Sequence, residues 1–241
     1  MNDNLSLIND KIDAALEVEN REQPARDYLG ASMIGEACER RLGYDWHKHA
    51  GTPFPGKVIR RFRMGHLHED ETARWLKLAG FVVHGEQSEF ALADGKFAGH
   101  VDGFLMSGPV DLPYPVLWEH KIMKSSVWRK LKGGETVRHA HPRYYAQMQV
   151  YMRQFDLRAG LFTALNTDTS ELHFELIEYD DKAAESYIEK AVRILSSRDP
   201  LELPRIGATR YDFLCSFCPH KDTCWDIPKA NTSTPPPWLK K

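Results

Sequence analysis

Residues 99–104 read Gly-His-Val-Asp-Gly-Phe, and residues 116–123, one hairpin-length connection later, read Val-Leu-Trp-Glu-His-Lys-Ile-Met. Successive side chains of a strand point to opposite faces, so Glu119 and Lys121 share one side of a sheet. A neighbouring strand can bring Asp102 beside them. Two carboxylates and an ammonium then meet at one point. Carboxylate oxygens suit a hard divalent cation, and a lysine can orient a water or steady charge developing on a phosphate. That set is equipped to hydrolyse a phosphodiester.

A Glu-x-Lys pair on a strand is more often solvated surface. Here Val116, Leu117, Trp118, Ile122 and Met123 flank it with apolar side chains. The segment therefore reads as a buried strand that carries charges where charges are costly.

Working outward, helical spacing places Leu5, Ile8, Ile12 and Leu16 on one face of a helix over residues 4–17, with a connector over residues 20–31. Residues 57–78 read as a long helix ended by Gly80. Strands are expected over 81–92, 96–106 and 115–123, with Asp94-Gly95 as a hairpin turn and 108–115 as a longer loop. Pro142 starts a helix to about Phe155. Strands over 159–167 and 172–179 precede a last helix over 180–197. This order predicts an α/β fold in which a mixed central sheet is flanked by helices. The divisions expected are an N-terminal helix and connector (1–31), a catalytic domain (32–228) and a Pro-rich tail (229–241), whose Trp238 could act as a docking handle.

The chain of 241 residues, 42% hydrophobic, can build one sizeable core. No apolar run approaches the roughly 20 residues of a membrane span, and the start MNDNLSLINDKID lacks the pattern of a secretion signal. A soluble, cytoplasmic protein is expected. The net charge of −2 does not suit a simple DNA-coating protein. Its distribution is uneven, however: between His120 and Arg143 stand seven Lys or Arg (Lys121, Lys124, Arg129, Lys130, Lys132, Arg138 and Arg143) against one acid, Glu135. This belt starts at the candidate site and is expected to contact phosphates.

Cys215, Cys218 and Cys224 form Cys-x2-Cys-x5-Cys in LCSFCPHKDTCW, and Cys38 stands far upstream in GEACERRLGYDW. Two disulfides do not suit a cytosolic chain, so a metal centre is the natural reading. Three close thiolates and a remote fourth can ligate a 4Fe-4S cluster, favoured by the spacing, or a structural zinc.

GTPFPGKV, residues 51–58, only mimics a phosphate-cradling loop. Val58 replaces the hydroxyl that magnesium needs, and Pro53 and Pro55 remove backbone donors. In RMGHLHEDETARW, His66 and His68 are two apart and do not share a helix face, so one of them is expected to be bystander surface. Either His68 or Glu69 can add a metal ligand. Gln147 and Tyr151 are four apart and stack on one face, suited either to contacting nucleic acid or to core packing.

In order, Gly65 through Glu69, Asp102, Glu119-x-Lys121 and Gln147-x3-Tyr151 resemble the motifs of the PD-(D/E)XK nuclease superfamily, in its RecB-like exonuclease branch. Cys38 beside Arg40 and Arg41, with the later cysteine triplet, is similar to the iron–sulfur nucleases of that branch, including CRISPR-associated ones. The resemblance spans residues 32–225. It implies a restriction-endonuclease-like fold, Mg2+ or Mn2+, and cleavage of single-stranded or duplex DNA from an end, with polarity leaning 5′ to 3′. By resemblance, Asp102, Glu119 and the backbone carbonyl of His120 hold metal, and Lys121 assists the attacking water. His68 matches the iron–sulfur branch, whereas Gly65-x3-Glu69 matches lambda-exonuclease-like enzymes. Gln147, Tyr151, Lys124 and Arg143 are expected on DNA. Val101 departs from the proline of the superfamily's name. The cysteines are expected to clamp the N- and C-terminal parts together, and a recombination or CRISPR protein is a candidate partner. The other classes weighed are a DNA-end-binding module without catalysis and a zinc-stabilised scaffold.

Overall fold

The computed structural model describes residues 3–24 and 26–226. The chain begins with α1 (Asp3–Glu22), a short strand β1 (Leu29–Gly30), α2 (Glu39–Trp46) and the long α3 (Gly56–Leu78). Four strands follow: β2 (Val82–His84), β3 (Glu89–Leu92), β4 (Phe97–His100) and β5 (Gly103–Ser107). Next come β6 (Val116–Met123), α4 (Ser125–Lys132), α5 (Val137–Ala140), α6 (Pro142–Gln154), β7 (Ala159–Asn166), β8 (Leu172–Glu178) and α7 (Asp181–Ser196). Two short helices, α8 (Phe213–Ser216) and α9 (Lys221–Trp225), carry the cysteine triplet.

The central sheet has the order β2-β5-β6-β7-β8. Only β6 and β7 run parallel, with Glu119 opposite Phe162 and His120 opposite Thr163; the other pairings are antiparallel. The mixed sheet expected from the sequence is thus present. One face packs on α3 through Ala73, Leu76, Val83, Leu105, Trp118 and Leu161. The other packs on α6, which is itself covered by α7, through Leu117, Met148, Met152, Phe162 and Ile194. β7 is buried along its whole length, as expected of a strand covered on both faces.

Two expected strands are each broken in two. Residues 81–92 divide into β2 and β3 around Gly85 and Gln87, both at positive φ, and residues 96–106 divide into β4 and β5 at Val101-Asp102. The halves belong to different sheets, because β1, β4 and β3 form a separate three-stranded sheet. The Asp94-Gly95 turn joins β3 to β4, with Leu92 opposite Phe97. Residues 20–31 are not simply a connector. Helix α1 continues to Glu22, and Leu29–Gly30 pairs in parallel with Phe97–Ala98. Helices α2 and α4 were not anticipated. The long helix ends as its sequence predicts, with Gly80 at φ +92. The tail with Trp238 lies outside the described residues. No described helix is long and apolar enough to cross a membrane.

Candidate active site

The break between β4 and β5 positions the site. Asp102 sits in that turn, not on a strand, and its Oδ2 accepts the backbone N–H of His120 at 2.7 Å. This bond stitches the turn to the middle of β6. From β6, Glu119 and Lys121 project to the same side. Lys121 Nζ is ion-paired with Glu119 Oε1, stands 3.6 Å from Asp102 Oδ2, and donates to the backbone carbonyl of His120 at 2.7 Å. The structure therefore brings together Asp102, Glu119, Lys121 and the His120 carbonyl. Glu69, from α3, lines the same cleft.

Three carboxylates share one ammonium here. Burial and the nearby Asp102 charge push Glu119 up to about 8, and the same two causes raise Glu69. Burial alone would lower Lys121, but Asp102 and Glu119 outweigh it and hold its proton firmly. The site carries more negative charge than one lysine balances. Glu119 is fully buried, and its Oε2 has no hydrogen-bond partner. A buried orphan oxygen beside two further carboxylates is a donor set that fits a hard divalent cation. Among the described residues, no three acidic, His or Cys side chains already stand in ligating geometry.

The His120 side chain lies on the opposite face of β6, under α3. Its Nε2 is 3.2 Å from Thr72 Oγ1 and its Nδ1 is 2.8 Å from Thr163 Oγ1. Thr163 also takes the indole N–H of Trp118 at 3.0 Å and has one proton to give, to the Glu119 carbonyl at 3.3 Å. Its hydroxyl must therefore accept from His120 Nδ1–H, which leaves Nε2 to accept from Thr72. Burial lowers the His120 pKa to about 3, and the Lys121 charge adds to this, so the ring is neutral. His120 thus meets the cleft through its carbonyl, while its ring ties β6 to α3.

The two faces of α3 also separate His68 from Glu69. Glu69 shares the cleft with His66, whose ring is 78% exposed and whose Nδ1 lies 3.3 Å from Glu69 Oε2. His68 is not among the residues lining the cleft, and its Nδ1 is buried without a partner.

Gln147 and Tyr151, expected either on nucleic acid or in the core, line the cleft yet are largely buried. They are 4% and 1% exposed, and residues 145–152 of α6 are all buried. Gln147 Nε2 donates to Glu119 Oε1 at 2.7 Å and lies 3.4 Å from the Tyr151 hydroxyl. The pair holds Glu119 in place, and both side chains also line the cleft with Asp102, Lys121 and Glu69. Tyr151 fits because Gly99 lacks a side chain: a Cβ there would come within 2.7 Å of the phenol oxygen. Arg143 reaches Met33 Sδ at 2.8 Å and Glu36 at 4.0 Å, on the side of the cysteines rather than the cleft. The basic belt is partly neutralised as well, through Lys132–Glu171 and Arg138–Asp180. Lys124 is exposed. Arg26, Ser32 and His100 line the cleft unanticipated, because they belong to segments that meet only through the small sheet.

The fold has a counterpart among solved structures. The chain is similar to an alkaline exonuclease from Laribacter hongkongensis, at 17% identity and a TM-score of 0.50, covering 71% of this chain and 88% of that one. The fold is restriction-endonuclease-like. A second structure of that exonuclease, with dAMP, aligns at 17% identity over 78% of this chain and 91% of that one, with a TM-score of 0.49. A phage-related exonuclease from Haemophilus somnus 129PT aligns at 12% identity over 74% and 95%, with a TM-score of 0.46. No protein-family model and no curated protein matches the chain.

Cys38, Cys215, Cys218 and Cys224 line one separate cavity, together with Arg41 and Arg205. All four are free thiols. Burial pushes the Cys218 thiol up, against the pull of Arg41. Arg41 Nε is buried with no partner, a donor that suits the negative charge of clustered thiolates. In donor chemistry the cavity therefore fits a cysteine-ligated metal centre.

Proposed function

We propose that the protein is a divalent-metal-dependent deoxyribonuclease that removes nucleotides from DNA ends. The observation that carries this reading is the convergence of Asp102, Glu119, Lys121 and the His120 carbonyl on one cleft, with Glu119 Oε2 left unpartnered. The similarity of the fold to exonucleases supports it.

Asp102, Glu119, the His120 carbonyl and Glu69 are the groups to hold Mg2+ or Mn2+, which supplies Lewis-acid polarisation of the phosphate and an acidified water. Lys121 holds its proton and acts as a fixed positive charge against the oxyanion that develops at phosphorus. Gln147 and Tyr151 keep Glu119 in place. For the first acidic ligand we favour Glu69 over His68, because Glu69 shares the cleft with Asp102 and Lys121. We further propose that the four cysteines hold a structural 4Fe-4S cluster, with zinc as the alternative occupant. Cleavage polarity, 5′ to 3′ by resemblance, belongs to the same proposal.

The test is incubation of purified protein with end-labelled single- and double-stranded DNA, with and without Mn2+. Metal-dependent release of nucleotides by the wild type, lost in Asp102→Ala while the melting temperature is retained, is the expected result. Equal cleavage by Asp102→Ala would overturn the assignment.

A further inference from the structure

Beyond the cleft, a second feature has the chemistry of a nucleic-acid site. A groove runs between the first half of α3 and the end of β6. Lys57, Arg61 and Met64 form one wall, Lys124 the other, and Ile122 and Met123 the apolar floor. None of its lining residues is acidic. Arg60, which also borders it, is committed to Asp13 of α1. Lys57, Arg61 and Lys124 are exposed and have no ion-pair partner among the described residues. The acids bordering the groove are engaged: Asp168 accepts the Ser125 N–H, Glu17 accepts the Gly56 N–H, and Asp13 is paired with Arg60.

Several basic side chains elsewhere are paired, as in Lys132–Glu171, Arg138–Asp180, Arg153–Glu185 and Arg193–Glu39. Here three cations without an ion-pair partner gather around an apolar floor that has no acidic lining residue. The groove neighbours the cleft along two elements: Ile122, Met123 and Lys124 follow Lys121 along the chain, and α3 carries Glu69 about two turns beyond Arg61. Cations that track phosphates, beside apolar surface for sugars and bases, are the recurring pattern of single-strand binding.

We infer that this groove holds the phosphates of a single nucleic-acid strand on one side of the scissile bond, an inference that rests on the nuclease reading of the cleft. Helical rise gives its reach. From Glu69 back to Arg61 and Lys57 is about 12 and 18 Å at 1.5 Å per residue. At 3.4 Å per nucleotide along a stacked strand, the basic side chains fall about three to five nucleotides from the cleft.

The test compares binding and cleavage of a 4-residue and a 20-residue single-stranded oligonucleotide by wild type and by Lys57→Glu/Arg61→Glu, with Lys57→Gln/Arg61→Gln as a milder pair. For wild type, KM should fall by roughly tenfold from the short to the long substrate. That length advantage should shrink to within about twofold in the charge-reversed pair and partly in the neutral pair. The slope of log affinity against log salt for the long strand should fall by roughly 0.7 for each phosphate that the variant no longer neutralises. An unchanged length dependence and salt slope would overturn the groove. If wild type cleaves neither substrate with Mn2+, the nuclease reading fails instead, and the binding and salt measurements still decide the groove.

Discussion

The carboxylate cleft and the cysteine cavity are built in opposite ways. Glu69 and Glu119 stand on regular structure and Asp102 in the turn between two strands, and every segment that brings one is tied to another. The Asp102 turn is bonded to the His120 N–H, β6 is bonded to α3 through the His120 ring, and Glu119 is held by Gln147 from α6. The thiolates sit at an N-cap and on short helices and turns at the periphery: Cys38 precedes α2, and the other three lie on α8, α9 and the turn between them. That region has protein ties of its own, among them His220 to Asp45 at 2.6 Å, the Thr52 N–H to the Pro219 carbonyl at 3.1 Å and Arg40 Nε to the Leu203 carbonyl at 2.9 Å. A site that positions a reaction is expected to be preorganised by the fold. In the proposal that the cysteines fasten the chain, their cavity gains further order from what it binds.

That contrast can be broken at several points. The largest effect is expected at Lys121. Lys121→Ala should slow cleavage on the order of 10^3-fold, because removing a preorganised charge from a water-poor site costs roughly 3–4 kcal/mol of transition-state stabilisation. Single-turnover rates and a melting curve measure this. A rate within tenfold of wild type would remove Lys121 from the chemistry.

At the cysteine cavity, Cys38→Ser should act on stability. Fastening Cys38 to the distant triplet closes a very long loop, and cross-links of this kind contribute typically 2–4 kcal/mol. About 3 kcal/mol corresponds to a fall of about 10 °C in Tm for a chain of this size. Iron and zinc analysis of anaerobically purified wild type identifies the occupant, and a metal-free wild type with the melting temperature of Cys38→Ser would refute the fastening role.

Gln147→Ala should reduce cleavage roughly 10–100-fold, the scale of losing a partner that orients a metal ligand. DNA affinity should stay within twofold, because Gln147 is buried and bonded to Glu119. A loss confined to DNA affinity would restore a substrate-contacting role.

The smallest effect is expected at Thr72→Val, which leaves His120 Nε2 unpaired at a cost of about 1–3 kcal/mol in stability. If the tether also sets how α3 presents Glu69, Mn2+ affinity measured by calorimetry should weaken several-fold. Lost stability with unchanged Mn2+ affinity would confine the tether to holding the fold.

Much of this molecule is legible in its sequence because the relevant interactions are local. The ends of α3 and α6 follow from Gly80 and Pro142, the Asp94-Gly95 turn from its residue types, and β7 from an apolar run. The facing of Glu119 and Lys121 follows from strand alternation alone. What was misread depends on partners distant in the chain. Unbroken strands over 81–92 and 96–106 were expected because each half has strand character; their division between two sheets depends on the pairing of β1 with β4 and of β5 with β6.

The side-chain roles divide along the same line. Sequence alone determined that Glu119 and Lys121 would share a face of a buried strand, because period-two alternation and apolar flanks are properties of a few consecutive residues. Only the tertiary structure decided that Gln147 is bonded to Glu119 within the cleft, that Glu69 and not His68 enters it, and that the four cysteines share one cavity. Which face of a helix is buried, and against what, is settled by the elements packed around it, and those elements come from parts of the chain that local patterns do not connect.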